Sequence, residues 1–130
     1  MADLLPAAPS ANPAPFLPTR TLVVNGVAIE TDSEGYLLDL GEWSEDFARA
    51  LARQEGLALT PEHWDVIRFL REHFEAHGVQ AQVRVMIRHF REVWGPDRGT
   101  NHHLHDLFPR GGPQKQGNRL AGLLKTKGEH

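Results

Sequence analysis

The stretch that decides the fold is Thr21-Leu-Val-Val-Asn-Gly-Val-Ala-Ile-Glu30. Asn-Gly is a preferred pair for a two-residue type I′ turn, because both central residues of that turn need a positive φ. β-branched residues flank the pair, which predicts antiparallel strands at about 21–24 and 27–31. Asp32-Ser-Glu-Gly35 predicts a second turn, and Tyr36-Leu-Leu38 a short third strand. A lone hairpin is only marginally stable in water, so we expect it to pack against helices.

After Ser44 the spacing of apolar residues changes from the strand period to the helix period. Ser44 is a typical helix N-cap, and Gly56 is placed to end the helix that follows. Thr60-Pro61 begins a second helix, with threonine as the cap and proline in the first turn. In all, helices are predicted at about 44–55, 61–76, 82–94, 100–107 and 113–120. The predicted fold is mainly α with a small N-terminal β-hairpin.

The composition divides the chain into three parts. Residues 1–20 are rich in alanine and proline and are predicted to be a disordered tail. Residues 21–117 form the predicted domain, and residues 118–130 are predicted to be a flexible C-terminal arm. A net charge of −3 argues against coating of nucleic acid or an anionic membrane through charge alone. With neither a signal-peptide pattern nor an apolar run of spanning length, we expect a cytoplasmic protein without a membrane segment.

The 130 residues contain no cysteine. Disulfides, thiolate metal ligands and sulfur nucleophiles are therefore excluded. The motifs of serine hydrolases, P-loops and zinc peptidases are also absent from the sequence, so no enzymatic activity is predicted. His102, His103, His105 and Asp106 form a dense cluster that could converge on a metal ion. Histidines in such a loop-like stretch are more often incidental, and we predict neither a metal site nor a cofactor.

The helices at 61–76 and 82–94 are joined by a turn that contains glycine, as in a helix-turn-helix element. Arg84, Arg88 and Arg91 form a basic stripe beside the apolar face of the second helix. Such a stripe contacts phosphates in nucleic-acid-binding proteins. It is equally typical of a solvated face paired with glutamates of the same two helices, or of a surface that receives an acidic partner. Because the chain is acidic overall, nucleic-acid binding is the lesser hypothesis.

Short motifs in order along residues 21–130 resemble the DsrC/TusE family of sulfur-relay proteins. Among them are Trp43-Ser-Glu-Asp-Phe-Ala48, Val83-Arg-Val85, Leu107-Phe-Pro109, Gly112-Pro-Gln-Lys-Gln116 and Ala121-Gly-Leu123. The resemblance implies a small helical domain with an N-terminal hairpin, a helix-turn-helix-like element and a mobile C-terminal arm. It also implies a monomer.

The family is known for carrying sulfur. TusE-like members take a persulfide from a TusBCD-type complex towards 2-thiouridine formation in tRNA, and DsrC-like members carry sulfur to or from dissimilatory sulfite reductase. Both use a penultimate cysteine on the arm, and DsrC-like members use a second one upstream. These positions correspond to Glu129 and Asn118 here, and the family's Leu-Pro-Lys-Pro segment has become Leu123-Leu-Lys-Thr126. Because a persulfide carrier needs a thiolate, the resemblance implies a family member that cannot carry persulfide.

We therefore predict a non-enzymatic, protein-binding or regulatory factor linked to sulfur metabolism. The partners implied are a TusBCD/DsrEFH-like complex or a sulfite reductase-like protein. The predicted docking residues are Arg84, Arg88, Arg91, Lys115, Arg119, Lys125 and Lys127. Two alternatives stay open: a DNA-binding regulator that uses the helix-turn-helix-like element, and a component of sulfur relay or tRNA 2-thiolation by descent only.

Overall fold

A computed structural model describes residues 18–124. In chain order, this part of the protein consists of a β-hairpin followed by five helices. The strands are β1 (Thr19–Val24) and β2 (Val27–Asp32), and the helices are α1 (Glu45–Gln54), α2 (Pro61–His77), α3 (Val83–Trp94), α4 (Asn101–Leu107) and α5 (Gly112–Leu120). The predicted mainly helical fold with an N-terminal hairpin is confirmed, and the ends of the two hairpin strands and of the five helices each lie within two residues of the predicted ones.

The hairpin turns at Asn25-Gly26, where both residues have positive φ values of 52° and 81°. Val24 pairs with Val27 across this turn. The buried residues of the two strands alternate with exposed ones, as a half-buried sheet requires. Asn25 Nδ2 also donates a hydrogen bond to Asp46 Oδ2 at 2.7 Å, which ties the turn to the first turn of α1.

The predicted third strand at 36–38 is wrong, because only an isolated bridge between Leu37 and Thr31 forms there. The reason is the side chain of Asp32. Its Oδ1 accepts hydrogen bonds from the backbone N–H groups of residues 34, 35 and 36, at 2.9–3.0 Å. The chain therefore curls into a tight turn before it can run along β2. Leu40–Glu42 then form a short 3-10 turn, for which the sequence carries no local signal that was recognised.

Helix caps lie where the sequence predicts them. Ser44 Oγ accepts a hydrogen bond from Phe47 N at 3.0 Å and so begins α1. Thr60 begins α2 with a capping box, in which His63 Nδ1 accepts from Thr60 N at 3.0 Å. Gly78 ends α2 with a left-handed φ of 74°. These contacts satisfy backbone groups that would otherwise lack partners at the helix ends.

Helix α5 occupies the middle of the molecule and packs against α1, α2 and α4. A Cβ atom at Gly117 would lie 2.9 Å from Leu70 Cδ1, so the glycine allows α5 to approach α2 closely. The largest fully buried side chains include Phe47, Leu51, Ile67, Leu70, Phe90, Phe108 and Leu120. The core therefore draws on all the helices, with the apolar face of the hairpin closing one part of it.

The predicted arm boundary at residue 118 is wrong. Residues 118–120 are the last turn of α5, and residues 118–123 are all buried. Buried apolar positions such as Leu120 and Leu123 fix this stretch to the body, so it is part of the domain. Of the predicted terminal parts, residues 1–17 and 125–130 lie outside the described residues. No helix between residues 18 and 124 is long and apolar enough to cross a membrane.

Candidate functional site at the C-terminal segment

Residues 121–124, which we call the C-terminal segment, leave α5 through a sharp turn at Gly122. Leu123 N donates to Asn118 O at 2.9 Å, and Gly122 N donates to Arg119 O at 3.1 Å. This pair of hydrogen bonds with a left-handed glycine, here at φ 72°, is a Schellman motif. A Cβ atom at Gly122 would collide with the ring of Trp43, so both the φ value and the space demand glycine.

Three side chains bind backbone carbonyl groups at this exit. Trp43 Nε1 donates to Leu120 O at 2.7 Å, and Arg71 Nη1 donates to Ala121 O at 2.7 Å. Gln80 Nε2 donates to Leu124 O at 2.9 Å. The donors come from the region before α1, from α2 and from the α2–α3 connection. Three distant parts of the chain therefore set the direction in which the C-terminal segment leaves the body.

The Arg71 guanidinium lies 3.8 Å from the centroid of the Trp43 ring, an arrangement that a cation–π interaction favours. Burial lowers the pKa of Arg71, and the nearby charge of Glu75 opposes that shift. An arginine remains protonated at neutral pH in spite of such a shift. The exit thus carries a fixed positive charge stacked on an aromatic ring.

A second set of contacts holds the beginning of α5. Glu55, the C-cap of α1, accepts hydrogen bonds from Arg119 Nε at 3.0 Å and from Gln116 Nε2 at 2.8 Å. Arg119 Nη2 donates to Arg110 O at 2.8 Å, and Gln116 Oε1 accepts from Arg110 N at 3.0 Å. Both backbone polar groups of Arg110 are therefore fixed by side chains of α5, which Glu55 holds in turn.

Electrostatics keep this network charged. Burial by itself lowers the pKa of Arg119, but the hydrogen bonds and charge of Glu55 outweigh it, and the net shift raises the pKa. Only 7% of Arg119 is exposed. Arg119 was predicted to lie on a docking surface, and that prediction is wrong because its guanidinium is used inside the protein.

The other predicted site residues are spread over the molecule. Asn118, which the resemblance places at the family's second cysteine, has no exposed surface. Lys115 is partly exposed on α5. Lys125, Lys127 and Glu129 lie outside the described residues.

The arginines of α3 lie where the helical period predicts them. Arg84, Arg88 and Arg91 are all exposed. None of them forms an ion pair with another residue between 18 and 124, so the glutamates of α2 and α3 leave their charge uncompensated. Nearby, α2 and α3 contact each other through Phe69, which stacks on His89 at 4.4 Å. The structure thus presents a basic outer face on α3.

The three histidines of α4 contact three different partners. His103 Nε2 lies 2.8 Å from Glu62 Oε1, and His102 Nε2 lies 3.2 Å from Asp106 Oδ2. His105 Nδ1 lies 2.9 Å from the backbone oxygen of Asn101. Within the described range the structure contains no group of three or more potential ligands gathered for a metal ion.

The Glu62 carboxylate joins α2 to this histidine-rich helix. Burial raises the pKa of Glu62, but hydrogen bonds from His103 and Arg98 outweigh burial and lower the pKa below its usual value. The carboxylate accepts from Arg98 Nε at 2.8 Å. Glu62 therefore stays ionised and acts as a structural link between α2, α4 and the loop before α4.

The described residues form a small, mainly helical domain with an N-terminal β-hairpin, and its C-terminal segment is bound through carbonyl groups. The family model described as "DsrC like protein" matches residues 23–128. The chain belongs to this DsrC-like family.

A relative from Haemophilus influenzae, named "Sulfurtransferase TusE homolog", is 42% identical over 104 residues, which cover 80% of this chain and 94% of the relative. The solution structure of DsrC from Allochromatium vinosum is 39% identical, with a TM-score of 0.74, and the match covers 85% of this chain and 97% of that one. The oxidized γ-subunit of the dissimilatory sulfite reductase (DsrC) from Archaeoglobus fulgidus is 38% identical, with a TM-score of 0.76, over 84% of this chain and 98% of that one.

Proposed function

We propose that this protein docks on the partners of sulfur-carrying relatives without carrying sulfur itself. The observation that carries the proposal is chemical: a chain of this family has no cysteine at any of its 130 positions. The relatives it resembles are named a sulfurtransferase and a subunit of dissimilatory sulfite reductase. This chain has the fold of these relatives but no cysteine sulfur.

Sulfane sulfur is held and passed on by a thiolate, which forms and exchanges S–S bonds. Asn118 offers an amide with no exposed surface, and Glu129 offers a carboxylate. Neither group forms an S–S bond. The role that remains is non-enzymatic: a cytoplasmic factor that occupies a docking surface, and so competes with carriers or regulates the proteins that they serve.

The docking surface we favour is the outer face of α3, with Arg84 as its principal residue and with Arg88 and Arg91 further along the helix. Its exposed and uncompensated arginines support this choice, because such charges steer a complementary acidic partner and raise the association rate. By the family resemblance, the partner is a TusBCD/DsrEFH-like complex or a sulfite reductase-like protein. We expect the docking unit to be a monomer.

A sulfur-transfer assay tests the first half of the proposal. The wild-type protein is incubated with a persulfide-loaded donor complex, and intact mass is recorded. We expect no added sulfur on the wild type and a gain of 32 Da on Glu129→Cys, the mass of one sulfur atom. Covalent sulfur on the wild type, retained after purification, contradicts the proposal.

A competition assay tests the second half. The wild type is expected to slow sulfur transfer from the donor to a cysteine-containing relative, and Arg84→Glu is expected to weaken this effect. Arg53→Glu on α1 makes the same change of charge at another exposed position and is the matched control. If the wild type does not compete at any concentration, the protein belongs to sulfur relay by descent only.

A DNA-binding regulator is the second candidate, favoured by the same exposed arginines on α3. Binding to promoter DNA is then expected to weaken steeply with salt, since each neutralised phosphate releases counterions. Fluorescence anisotropy from low to physiological salt measures this slope. Absence of binding at low salt eliminates the candidate.

A further inference from the structure

A charge-assisted hydrogen bond ties the tip of the hairpin to α1. Asn25 Nδ2 donates to Asp46 Oδ2 at 2.7 Å, and Asp46 lies in the first turn of the helix. Asp46 Oδ1 accepts a further hydrogen bond from Arg49 Nη1 at 2.8 Å. The hydrogen bonds from Asn25 and Arg49 lower the pKa of the Asp46 carboxyl, so the group is ionised at neutral pH. The Asn25 amide is therefore held by a carboxylate.

The residue that follows Asn25 leaves its backbone nitrogen open. Gly26 N donates to no backbone oxygen between residues 18 and 124, because the ladder of the hairpin begins at the pair Val24 and Val27. Asn25 and Gly26 are both exposed, and a Cβ atom at Gly26 would meet nothing within 4 Å. Since glycine has no side chain, no group hinders the approach of Asn25 Cγ to Gly26 N.

This pair of residues can react within the chain. Gly26 N attacks Asn25 Cγ, a new C–N bond forms, and the bond from Cγ to Nδ2 breaks. The Gly26 amide proton leaves with Nδ2 as ammonia, and a succinimide ring remains. Water then opens the ring at either carbonyl carbon and gives aspartate or isoaspartate. The reaction consumes one water molecule, releases one ammonia molecule and needs neither an oxidant nor a reductant.

The other asparagines of the chain are less suited to this reaction. The sequence contains four, at positions 12, 25, 101 and 118. Asn12 precedes a proline, whose nitrogen carries no hydrogen. Asn101 lies in α4, where the helical backbone fixes the amide that follows, and Asn118 has no exposed surface. Asparagine is a thermolabile residue, and in this chain the reactive one is at position 25.

We propose that Asn25 is a site of spontaneous deamidation, and that its hydrogen bond to Asp46 controls the rate in the folded protein. While this bond is formed, the amide points to α1 and the turn keeps Asn25 at a φ of 52°. Asn25 Cγ then reaches Gly26 N only when the bond opens. After the reaction residue 25 carries a carboxylate that faces Asp46, and like charges at this distance repel each other. The modification thus separates the hairpin tip from α1.

Incubation of the full-length protein at mildly alkaline pH, followed by digestion and mass spectrometry, tests this inference. We expect aspartate and isoaspartate to accumulate at position 25 faster than at the other asparagines. In Asp46→Ala the amide is released, and the rate at position 25 should rise about threefold or more, because a net hydrogen bond no longer restrains it.

Glu45→Ala is the matched control for this rate. It removes the other carboxylate in the first turn of α1 that pairs with Arg49, but Glu45 does not contact Asn25. Its rate should differ from that of the wild type by less than about twofold. Equal rates in Asp46→Ala and Glu45→Ala overturn the role of the hydrogen bond. If position 25 is unchanged in the folded protein but reacts in urea, Asn25 is not a modification site of the native protein.

Hydrogen exchange of the hairpin amides tests the structural effect. Asn25→Asp reproduces one product of the reaction, and its hairpin amides should exchange faster than those of the wild type. Asp46→Asn in the same chain supplies an amide that can donate to the new carboxylate, so the double variant should regain slow exchange. Exchange in Asn25→Asp at the wild-type rate would show that the modification does not release the hairpin tip.

Discussion

Arg119 and Glu55 form a 3.0 Å ion pair that joins α5 to the C-terminal end of α1, and their side chains are only 9% and 10% exposed. The two residues are 64 positions apart in the chain. Through Gln116 and Arg110, the same pair fixes the turn that precedes α5. One charge pair therefore controls the placement of the helix that leads into the C-terminal segment.

Removal of Arg119 should be strongly destabilising. In Arg119→Met the Glu55 carboxylate stays buried without its counter-ion, and we expect a loss of about 3–5 kcal/mol in the free energy of unfolding. Urea denaturation measures the loss. Arg49→Met breaks an ion pair with Glu45 and Asp46 in which the side chains are about half exposed, and it should cost at most about 1 kcal/mol. Equal losses in the two variants would show that burial does not decide the strength of the pair.

Gly122 and Gly56 provide a matched comparison of backbone strain and steric contact. Their φ values are 72° and 74°, but a Cβ atom at Gly122 meets the Trp43 ring, whereas one at Gly56 meets nothing within 4 Å. Gly56→Ala should lose about 1–2 kcal/mol of stability from the left-handed conformation alone. Gly122→Ala should lose about 1–3 kcal/mol more from overpacking. Denaturation curves of equal midpoint would contradict the close packing of Gly122 on Trp43.

Acidification should weaken the fold through His63. The ring accepts from Thr60 N at Nδ1, and its Nε2 lies 2.6 Å from Leu107 O, an arrangement that suits the neutral ring protonated on Nε2. Burial lowers the pKa of His63, and the hydrogen bond to Leu107 opposes the shift. The folded state therefore binds fewer protons than the unfolded state between the two pKa values. The stability from His63 is complete above the unfolded pKa of about 6.5 and is lost as pH falls through the folded pKa.

Urea denaturation between about pH 5 and pH 8 measures this dependence. His63→Gln keeps an acceptor in the capping box and removes the titration, so its stability should fall less on acidification. His102→Gln alters a side chain that is 88% exposed and should retain the wild-type pH dependence. The same slope in His63→Gln and in the wild type would assign the dependence to other groups.

Burial should also make a cysteine at position 118 unreactive. In Asn118→Cys the thiol lies where the native side chain has no exposed surface, and burial disfavours its thiolate form. A thiol reagent should react slowly with the native variant and quickly in urea. Ser33→Cys lies in an exposed turn and should react quickly under both conditions. Rapid native labelling of Asn118→Cys would mean that α5 opens at this position.

The elements that the sequence predicts well are those with local signals. Asn25-Gly26 predicts the hairpin because its turn demands positive φ values, and Thr60-Pro61 predicts the start of α2 because the cap acts within one turn. The prediction of a third strand at residues 36–38 was wrong for an equally local reason. Asp32 was assigned to the turn, but the number of N–H groups that its carboxylate would bind was not foreseen.

The candidate site was harder to predict, because its contacts join residues that are far apart in the chain. Arg119 was predicted to lie on the flexible C-terminal arm, because no neighbouring residue in the sequence indicates an ion pair with Glu55. Trp43 lies in a motif that resembles the family, yet no local pattern shows that Trp43 and Arg71 bind the carbonyl groups of residues 120 and 121. The exposed arginines of α3 were predictable because helical periodicity alone determines their face.

The anchoring of residues 120, 121 and 124 through their carbonyl oxygens has a consequence for sequence tolerance. Every amino acid has this oxygen, proline included. The hydrogen bonds from Trp43, Arg71 and Gln80 to the main chain therefore do not depend on which side chains the bound residues carry. Leu124 presents this oxygen to Gln80, and a proline at position 124 would have the same acceptor. The path of the C-terminal segment is therefore determined by the side chains of Trp43, Arg71 and Gln80. The side chains of residues 120, 121 and 124 can vary without loss of these hydrogen bonds.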